Sequence, residues 1–262
     1  MEQFIAERDH LIIRGTMYGE PQDQPKPAVI LSHGFMADSS MCKDYAKLLA
    51  DMGYLAFTFD FCGGGLRGKS DGRTTDMSVL SEVRDLRAVI SYVLPLPYTD
   101  QRVHLFGCSQ GGFVSALMAV QMPETIASLT LLYPAFCIPD DARSGQMMFA
   151  KFDPQNIPET IPCGPMKLGA CYVKNVIEME PWKEIHGYEG PVLYLQGTSD
   201  RIVDVSYARR AREEYPDCMY REIEGGGHMF KGKHERAARE YIRIFFSERL
   251  LERMRSIPFS LE

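Results

Sequence analysis

Short apolar runs recur along most of the chain, and a glycine, a proline or a polar turn closes each of them. Runs of this kind that are rich in branched and aromatic residues are typical of buried strands. We predict strands at residues 10–18, 28–32, 54–60, 102–106, 128–134, 190–197 and 219–223.

Between several of these strands the apolar residues recur at three- and four-residue intervals, the spacing of one face of a helix. The clearest series is Val79, Leu80, Val83, Leu86, Ile90 and Val93, which Pro95 and Pro97 end. Similar patterns predict helices at residues 45–50, 112–119 and 234–249. The alternation predicts an α/β fold with a mostly parallel central sheet and helices on both faces.

One long interval breaks this alternation. Residues 135–189 are rich in proline, glycine, methionine and aromatic residues and show no clear strand–helix–strand pattern. So long a connection is uncommon as a bare loop, and we expect an inserted cap subdomain. Residues 1–134 and 190–262 would then form a single core domain, which suits a chain of 262 residues.

Composition narrows the class of protein. A hydrophobic fraction of 45% and a charged fraction of 24% are ordinary for a globular protein. The net charge of -6, without a strong basic run, argues against a nucleic-acid partner. The sequence contains neither a leader-like amino terminus nor a long apolar segment, so we expect a cytoplasmic protein without a membrane partner. A homodimer is left open.

The seven cysteines have no CxxC spacing, and their number is odd. Reduced, mostly buried thiols fit this pattern better than a disulfide framework or a zinc site.

The most informative motif is Gly-Cys-Ser-Gln-Gly at residues 107–111, which fits G-x-S-x-G between a predicted strand and a predicted helix. A sharp strand-to-helix turn presents a serine hydroxyl above the sheet edge, and small glycines allow the close approach. We therefore predict that Ser109 is a nucleophile, against the alternative of a chance match.

A serine hydroxyl needs a base and an anion that orients the base. Asp200 follows one apolar strand, and His228 follows the last strand after three glycines. Loops after parallel strands gather at one sheet edge, so we predict a catalytic triad of Ser109, Asp200 and His228. The alternatives are Asp204 for the acid, and His33, His104, His186 or His234 for the base.

Attack on an ester carbonyl also requires amide donors for the developing oxyanion. We predict the backbone amides of Gln110 and Phe35, although His33-Gly34 could form only a tight turn. Residues 63–70 match G-x-x-x-x-G-K-[ST], but turn residues follow where a phosphate-binding loop opens into a helix. We interpret that segment as a loop bordering the active site.

Together these motifs resemble the α/β-hydrolases over nearly the whole chain. The Ser-Gln-Gly-Gly elbow, the length and the cap are most similar to bacterial feruloyl (cinnamoyl) esterases. This resemblance implies hydrolysis of hydroxycinnamate esters, with part of the aromatic pocket formed by the cap. It also implies that Asp141, Tyr172 and Gln146 contact the phenolic hydroxyls of the substrate.

The expected function is a serine carboxylesterase that acts on a small-molecule ester through an acyl-enzyme, without a metal or organic cofactor. Short-acyl esters, monoacylglycerols and peptides are alternative substrates of the same chemistry. A noncatalytic ligand-binding receptor on this fold is the alternative from another class.

Overall fold

A computed structural model describes residues 1–256, so residues 257–262 of the predicted core segment 190–262 lie outside the described part of the chain. The described residues form one main sheet of eight strands. These strands are β1 (Glu2–Arg8), β2 (Leu11–Tyr18), β3 (Lys26–Ser32), β4 (Leu55–Phe59), β5 (Thr99–Cys108), β6 (Ile126–Leu132), β11 (Val192–Gly197) and β12 (Cys218–Ile223).

The strand order in the sheet is β1-β2-β4-β3-β5-β6-β11-β12. Strands β4, β3, β5, β6, β11 and β12 pair in parallel, whereas β2 runs antiparallel to both of its neighbours. The predicted α/β-hydrolase fold with a mostly parallel sheet is therefore confirmed, and the carboxyl ends of the parallel strands lie along one edge.

Strand β1 is absent from the elements that the sequence predicted. Only Phe4 and Ala6 of β1 are buried, while its other side chains are more accessible. The strand is held by antiparallel pairing with β2, from Glu2 opposite Met17 to Arg8 opposite Leu11. Such an edge strand carries too few apolar residues to be recognised as a buried run.

Eight α-helices accompany the strands in the described chain. Those of the core are α1 (Lys43–Asp51), α2 (Val79–Val93), α3 (Gln110–Gln121), α7 (Val205–Ala211) and α8 (Lys233–Ser256). The predicted helix at 79–93 is found with those bounds. It begins with a capping box, in which the Ser78 side chain accepts from the Ser81 amide and the Ser81 side chain accepts from the Ser78 amide.

The helices cover both faces of the sheet, as predicted. Within β3, Val29 packs in a cluster with residues of α1 and α8, and its neighbour Ile30 packs in a second cluster with residues of α2 and α3. Successive strand side chains thus point to opposite faces, so each face has its own apolar core. Burial on both faces explains why the central strands are continuously apolar.

The segment between β6 and β11 leaves the sheet and returns to it at the adjacent position. It contains three helices and two small antiparallel sheets. These elements are α4 (Ile138–Ser144), β7 (Gln146–Met147), β8 (Ala150–Lys151), β9 (Thr160–Cys163), β10 (Met166–Gly169), α5 (Ala170–Val176) and α6 (Pro181–Glu184).

Candidate active site

Ser109 lies in the turn between β5 and α3, with backbone angles φ 53° and ψ −120°. A positive φ is unusual for a residue with a side chain and marks a strained conformation. The two flanking glycines permit this turn. A Cβ on Gly107 would overlap the backbone of Gly111, and one on Gly111 would lie 2.5 Å from the carbonyl oxygen of Ser32. The chain here forms the predicted elbow.

The side chains of Ser109, His228 and Asp200 meet at the carboxyl edge of the sheet. The Nε2 atom of His228 lies 3.0 Å from Oγ of Ser109, and its Nδ1 atom lies 2.8 Å from Oδ2 of Asp200. With the proton on Nδ1, the imidazole donates to the carboxylate and can accept the serine proton. The structure therefore brings together the three residues that the sequence proposed as a triad.

The Asp200 carboxylate accepts four hydrogen bonds within residues 1–256. Its Oδ1 atom accepts from the amides of Ile202 and Val203, and its Oδ2 atom accepts from Nε2 of Gln196 as well as from His228. Burial acts to raise the pKa of Asp200, but its hydrogen bonds with His228, Val203 and Ile202 and its electrostatic interaction with the imidazole outweigh burial and hold the pKa below its usual value. The group is therefore a carboxylate at neutral pH.

The alternative acid, Asp204, has a different task. Its side chain caps the amino terminus of α7 by accepting from the Ser206 amide at 2.9 Å. Asp200 and Asp204 thus separate into a partner of the imidazole and a helix cap.

The alternative histidines all lie in other surroundings. His104 is buried in the core beside Ser128, and burial lowers its pKa to about 3. His186 is largely exposed and faces Glu214 at 3.0 Å, and His234 lies in the first turn of α8.

His33 is buried in the loop after β3, where it orients a peptide group. Its Nε2 atom accepts from the Phe61 amide at 3.1 Å, so Nδ1 carries the proton and donates to the carbonyl of Gly34 at 2.8 Å. Burial lowers the pKa of His33, which keeps the ring neutral. Because a trans peptide places its C=O and N–H on opposite sides, the amide of Phe35 points away from His33.

The amides of Phe35 and Gln110 are available as donors. No residue in the described part of the chain accepts a hydrogen bond from either amide. Phe35, Ser109 and Gln110 line the same cavity. The geometry is thus suited to an oxyanion site beside the Ser109 hydroxyl.

Both polar atoms of the Gln110 side chain also form hydrogen bonds. The Tyr172 hydroxyl donates to its Oε1 atom, and its Nε2 atom donates to Oε2 of Glu82 at 2.8 Å. Glu82 lies on the buried face of α2, and burial raises its pKa well above the usual value. Its position three residues after Val79 and four before Leu86, on the apolar face of the helix, is the signal that sequence reasoning missed.

Tyr133 and Gln196 are two further residues that the sequence analysis did not select. The Tyr133 ring packs against the His228 imidazole, with 4.7 Å between ring centroids, and its backbone has φ 41°. Gln196 is a fully buried polar residue in β11. A polar side chain at the end of an apolar strand was the available signal for Gln196.

The cavity beside Ser109 is largely apolar. It is lined by the core and by the segment after β6, and its apolar residues include Phe35, Ala135, Ile138, Met147, Met148 and Ile202. Asp141 places a carboxyl group in this lining, where burial raises its pKa above the usual value despite a contact with the Cys137 thiol. An apolar cavity with one acidic acceptor suits an aromatic ligand that bears a hydroxyl group.

The three residues predicted to contact phenolic hydroxyls therefore differ in location. Asp141 and Tyr172 line the cavity, and Tyr172 already uses its hydroxyl proton on Gln110. Gln146 is exposed in β7 opposite Lys151 and is not among the lining residues. Contact between Gln146 and a substrate stays a prediction.

The segment that matches a phosphate-binding loop folds around an aspartate instead. The Lys69 amide donates to the Asp60 carboxylate at 2.7 Å, and the Ser70 hydroxyl donates to the Asp60 carbonyl at 2.6 Å. The next helix, α2, begins only at Val79. This loop therefore lacks the helix amino terminus that cradles phosphates in a Walker motif.

All seven cysteines are free thiols, and five of them are buried. Among residues 1–256, no group of three or more histidine, cysteine or acidic side chains is arranged to hold a metal ion. No helix within the same range is both long and apolar enough to cross a membrane.

The fold and the site define the class of protein. Residues 23–162, more than half of the chain, match the family described as serine aminopeptidase, S33. The chain belongs to this family of α/β-hydrolases, which confirms the resemblance at that level.

The individual relatives point toward esterases. A structure of Est1E from Butyrivibrio proteoclasticus with bound ferulic acid superimposes with a TM-score of 0.87 and 26% identity, covering 95% of this chain and 99% of that one. Caffeoylshikimate esterase from Arabidopsis thaliana is 35% identical over 122 residues, 45% of this chain and 36% of that protein.

Mouse monoglyceride lipase is 28% identical over 138 residues, which is 51% of this chain and 44% of the lipase. The chain thus spans less than half the length of both of these curated relatives.

Proposed function

We propose that this protein is a serine carboxylic-ester hydrolase whose substrates are hydroxycinnamate (feruloyl) esters. The observation that carries the proposal is the position of the His228 imidazole, which lies within hydrogen-bond distance of both the Ser109 hydroxyl and the Asp200 carboxylate. This is the arrangement that activates a serine for attack on a carbonyl carbon.

The proposed reaction has two halves. Oγ of Ser109 attacks the ester carbonyl while Nε2 of His228 takes its proton, and Asp200 stabilises the imidazolium. The amides of Phe35 and Gln110 donate to the oxyanion, and His228 then protonates the departing alkoxide. In the second half, His228 deprotonates a water molecule, which cleaves the acyl-enzyme and releases the acid. This chemistry requires no metal or organic cofactor.

The substrate class rests on the cavity and on one neighbour. The cavity is lined by apolar and aromatic side chains, with the Asp141 carboxyl available to accept a hydrogen bond from a phenolic hydroxyl. The similar Est1E structure contains ferulic acid. We propose that the acyl group occupies this cavity, with the Tyr172 ring as one wall.

We also propose that residues 135–189 act as a cap subdomain on a core formed by the rest of the chain. The support is that α4, β7 and α5 supply Ile138, Met147 and Tyr172 to the wall of the cavity that the elbow also lines. The cap would then determine which acyl groups fit.

The test is hydrolysis by the wild type and by Ser109→Ala across an ester panel. We expect Ser109→Ala to lose turnover by about 10⁴-fold or more, since the nucleophile is removed. The control is Ser247→Ala on the exposed surface of α8, which should keep full activity. Turnover retained by Ser109→Ala would contradict the proposed nucleophile.

The panel of methyl ferulate, methyl butyrate, a monoacylglycerol and an aminoacyl amide tests the substrate class. We expect kcat/KM to be highest for methyl ferulate, by about 10-fold or more. A preference for another member of the panel would overturn the feruloyl assignment and leave the serine hydrolase intact. Failure of Ser109 to react with a fluorophosphonate would instead favour a noncatalytic receptor.

A further inference from the structure

Three buried side chains form a continuous hydrogen-bonded row outside the triad. Glu82 of α2, Gln110 of the elbow and Tyr172 of α5 are 1%, 1% and 2% exposed. The Tyr172 hydroxyl donates to Oε1 of Gln110, and Nε2 of Gln110 donates to Oε2 of Glu82. Both ends of one amide side chain are therefore fixed, one by the core and one by the segment after β6.

Tyr172 also touches the other proposed oxyanion donor. Its ring packs against that of Phe35, with 5.7 Å between centroids and 55° between the planes. One side chain of α5 thus contacts both residues whose amides are the proposed oxyanion donors. A substrate-binding role alone would not require this double contact.

The turn at Ser109 is strained and requires support from its neighbours. Ser109 holds a positive φ of 53°, and strain of this kind persists only when the surroundings enforce it. Gln110 is the next residue, so a rotation that relaxed Ser109 would also turn the Gln110 amide. Anchoring the Gln110 side chain at both ends opposes that rotation.

Helices α2 and α5 are also fixed to each other. Nδ2 of Asn175 in α5 donates to the hydroxyl of Ser78, the residue that caps α2, at 2.8 Å. The Cys171 thiol contacts the carbonyl of Thr75 at 3.3 Å. The spacing between Glu82 and Tyr172 is therefore set by packing that does not involve Gln110.

We propose that Glu82 and Tyr172 are positioning residues of the oxyanion site, acting on the Gln110 amide through the Gln110 side chain. The proposal rests on the proposed esterase function. It makes α5 a structural part of the oxyanion site, in addition to a wall of the substrate cavity.

This role predicts a different kinetic effect from recognition of a phenol. A positioning residue serves every ester, because every ester develops the same oxyanion. A residue that binds a phenolic hydroxyl serves only substrates that carry one, and its loss appears mainly in KM. The two roles of Tyr172 can therefore be separated by paired substrates.

The experiment compares wild type and Tyr172→Phe on methyl ferulate and methyl cinnamate, which lacks the phenolic hydroxyl. We expect kcat to fall by roughly 10-fold for both substrates, with little change in KM, because the lost hydrogen bond loosens the elbow. A loss confined to methyl ferulate, or unchanged kcat for both, would overturn the proposal. A wild type inactive on every ester would refute the proposed function itself.

The second part of the experiment uses variants of Glu82. Glu82→Leu removes the acceptor for Gln110 and should reduce kcat as Tyr172→Phe does, whereas Glu82→Gln keeps an acceptor and should retain most of the activity. Because both residues act through Gln110, the double variant should lose less than the product of the two single losses. Independent, multiplicative losses, or full activity of Glu82→Leu, would contradict a shared route.

A variant of another buried tyrosine serves as the control for effects on folding. Tyr188 is 1% exposed and donates to the carbonyl of Ile126 at 3.3 Å, away from the elbow. Tyr188→Phe should lower thermal stability without lowering kcat. Rates are expressed per Ser109 labelled by a fluorophosphonate at saturation, which corrects every variant for misfolded protein. An equal loss of kcat in Tyr188→Phe would mean that the Tyr172 effect is merely structural.

Discussion

At the residue scale, the acid of the site depends on neighbours as much as on its own carboxylate. Gln196 is buried and donates from Nε2 both to Oδ2 of Asp200 and to the carbonyl of Val203, each at 3.1 Å. It therefore fixes the carboxylate and the loop that carries it. The His228 imidazole is oriented only as well as Asp200 is.

We predict that Gln196→Leu lowers kcat by about 10-fold, since a hydrogen bond to a charged group contributes about 1.5–3 kcal/mol. Gln196→Glu should cost more, because it places a second buried carboxyl beside Asp200. Steady-state kinetics on a p-nitrophenyl ester measure both. Gln101→Leu, in the exposed part of β5, is the control, and equal kcat in all variants would remove Gln196 from the site.

The sequence predicts some of the residues in the site and misses others, and the difference has a physical reason. Ser109, Asp200 and His228 each follow a predicted strand, and parallel strands bring their carboxyl ends together. Glu82, Tyr133 and Gln196 act through side-chain contacts that depend on how helices and strands pack. The resemblance to feruloyl esterases implies Tyr172 as a substrate contact, but it gives no sign that the Tyr172 hydroxyl lies against Gln110.

At the element scale, α2 shows what periodicity captures and what it omits. The apolar series from Val79 to Val93 gave its bounds, because Ser78 caps one end and Pro95 follows the other. The same face buries the acids Glu82 and Asp85, which an apolar pattern does not report. Asp85 is partnered by Arg8, whereas Glu82 faces the neutral amide of Gln110.

The burial of Glu82 has a consequence for the pH dependence of stability. Burial raises its pKa above the ordinary value of 4.5 in the folded protein. Above that value the unfolded chain has released the proton while the folded chain retains it, so stability falls as pH rises toward the folded pKa. The slope is at most about 1.4 kcal/mol per pH unit.

We therefore predict that Glu82→Gln gains stability relative to the wild type as pH rises from about 5 to about 8. Urea unfolding at both pH values measures the difference in the free energy of unfolding. Glu222→Gln is the control, because the pKa of Glu222 is lowered to about 2 beside Arg209 and does not titrate in this range. A pH-independent gain for Glu82→Gln would show that Glu82 is ionised in the fold.

At the scale of the whole molecule, the sheet order explains how distant segments form one site. Strands β3, β5, β6, β11 and β12 are consecutive in the sheet, so the loops that carry Phe35, Ser109, Tyr133, Asp200 and His228 emerge at one edge. No comparable signal in the sequence marks β1, which adds an edge strand through backbone pairing. Side chains of β1 also contact the rest of the molecule beyond β2.

An ion pair joins β1 to α2. Nε of Arg8 lies 2.6 Å from Oδ1 of Asp85, and the two side chains are 12% and 0% exposed. Removing the arginine would leave a buried carboxylate without its counter-ion, which costs about 3–5 kcal/mol. Arg84 pairs with Asp9 at 3.4 Å with both side chains about 60% exposed, and such a surface pair contributes about 0–1 kcal/mol.

We predict that Arg8→Ala lowers the free energy of unfolding by about 3 kcal/mol or more, and that Arg84→Ala changes it by less than about 1 kcal/mol. Chemical denaturation compares the two, and hydrogen exchange of the β1 amides locates the effect. If β1 is held by this pair, its amides lose protection in Arg8→Ala while those of β5 keep more of theirs. Equal effects of the two arginines would mean that backbone pairing with β2 is sufficient to hold the edge of the sheet.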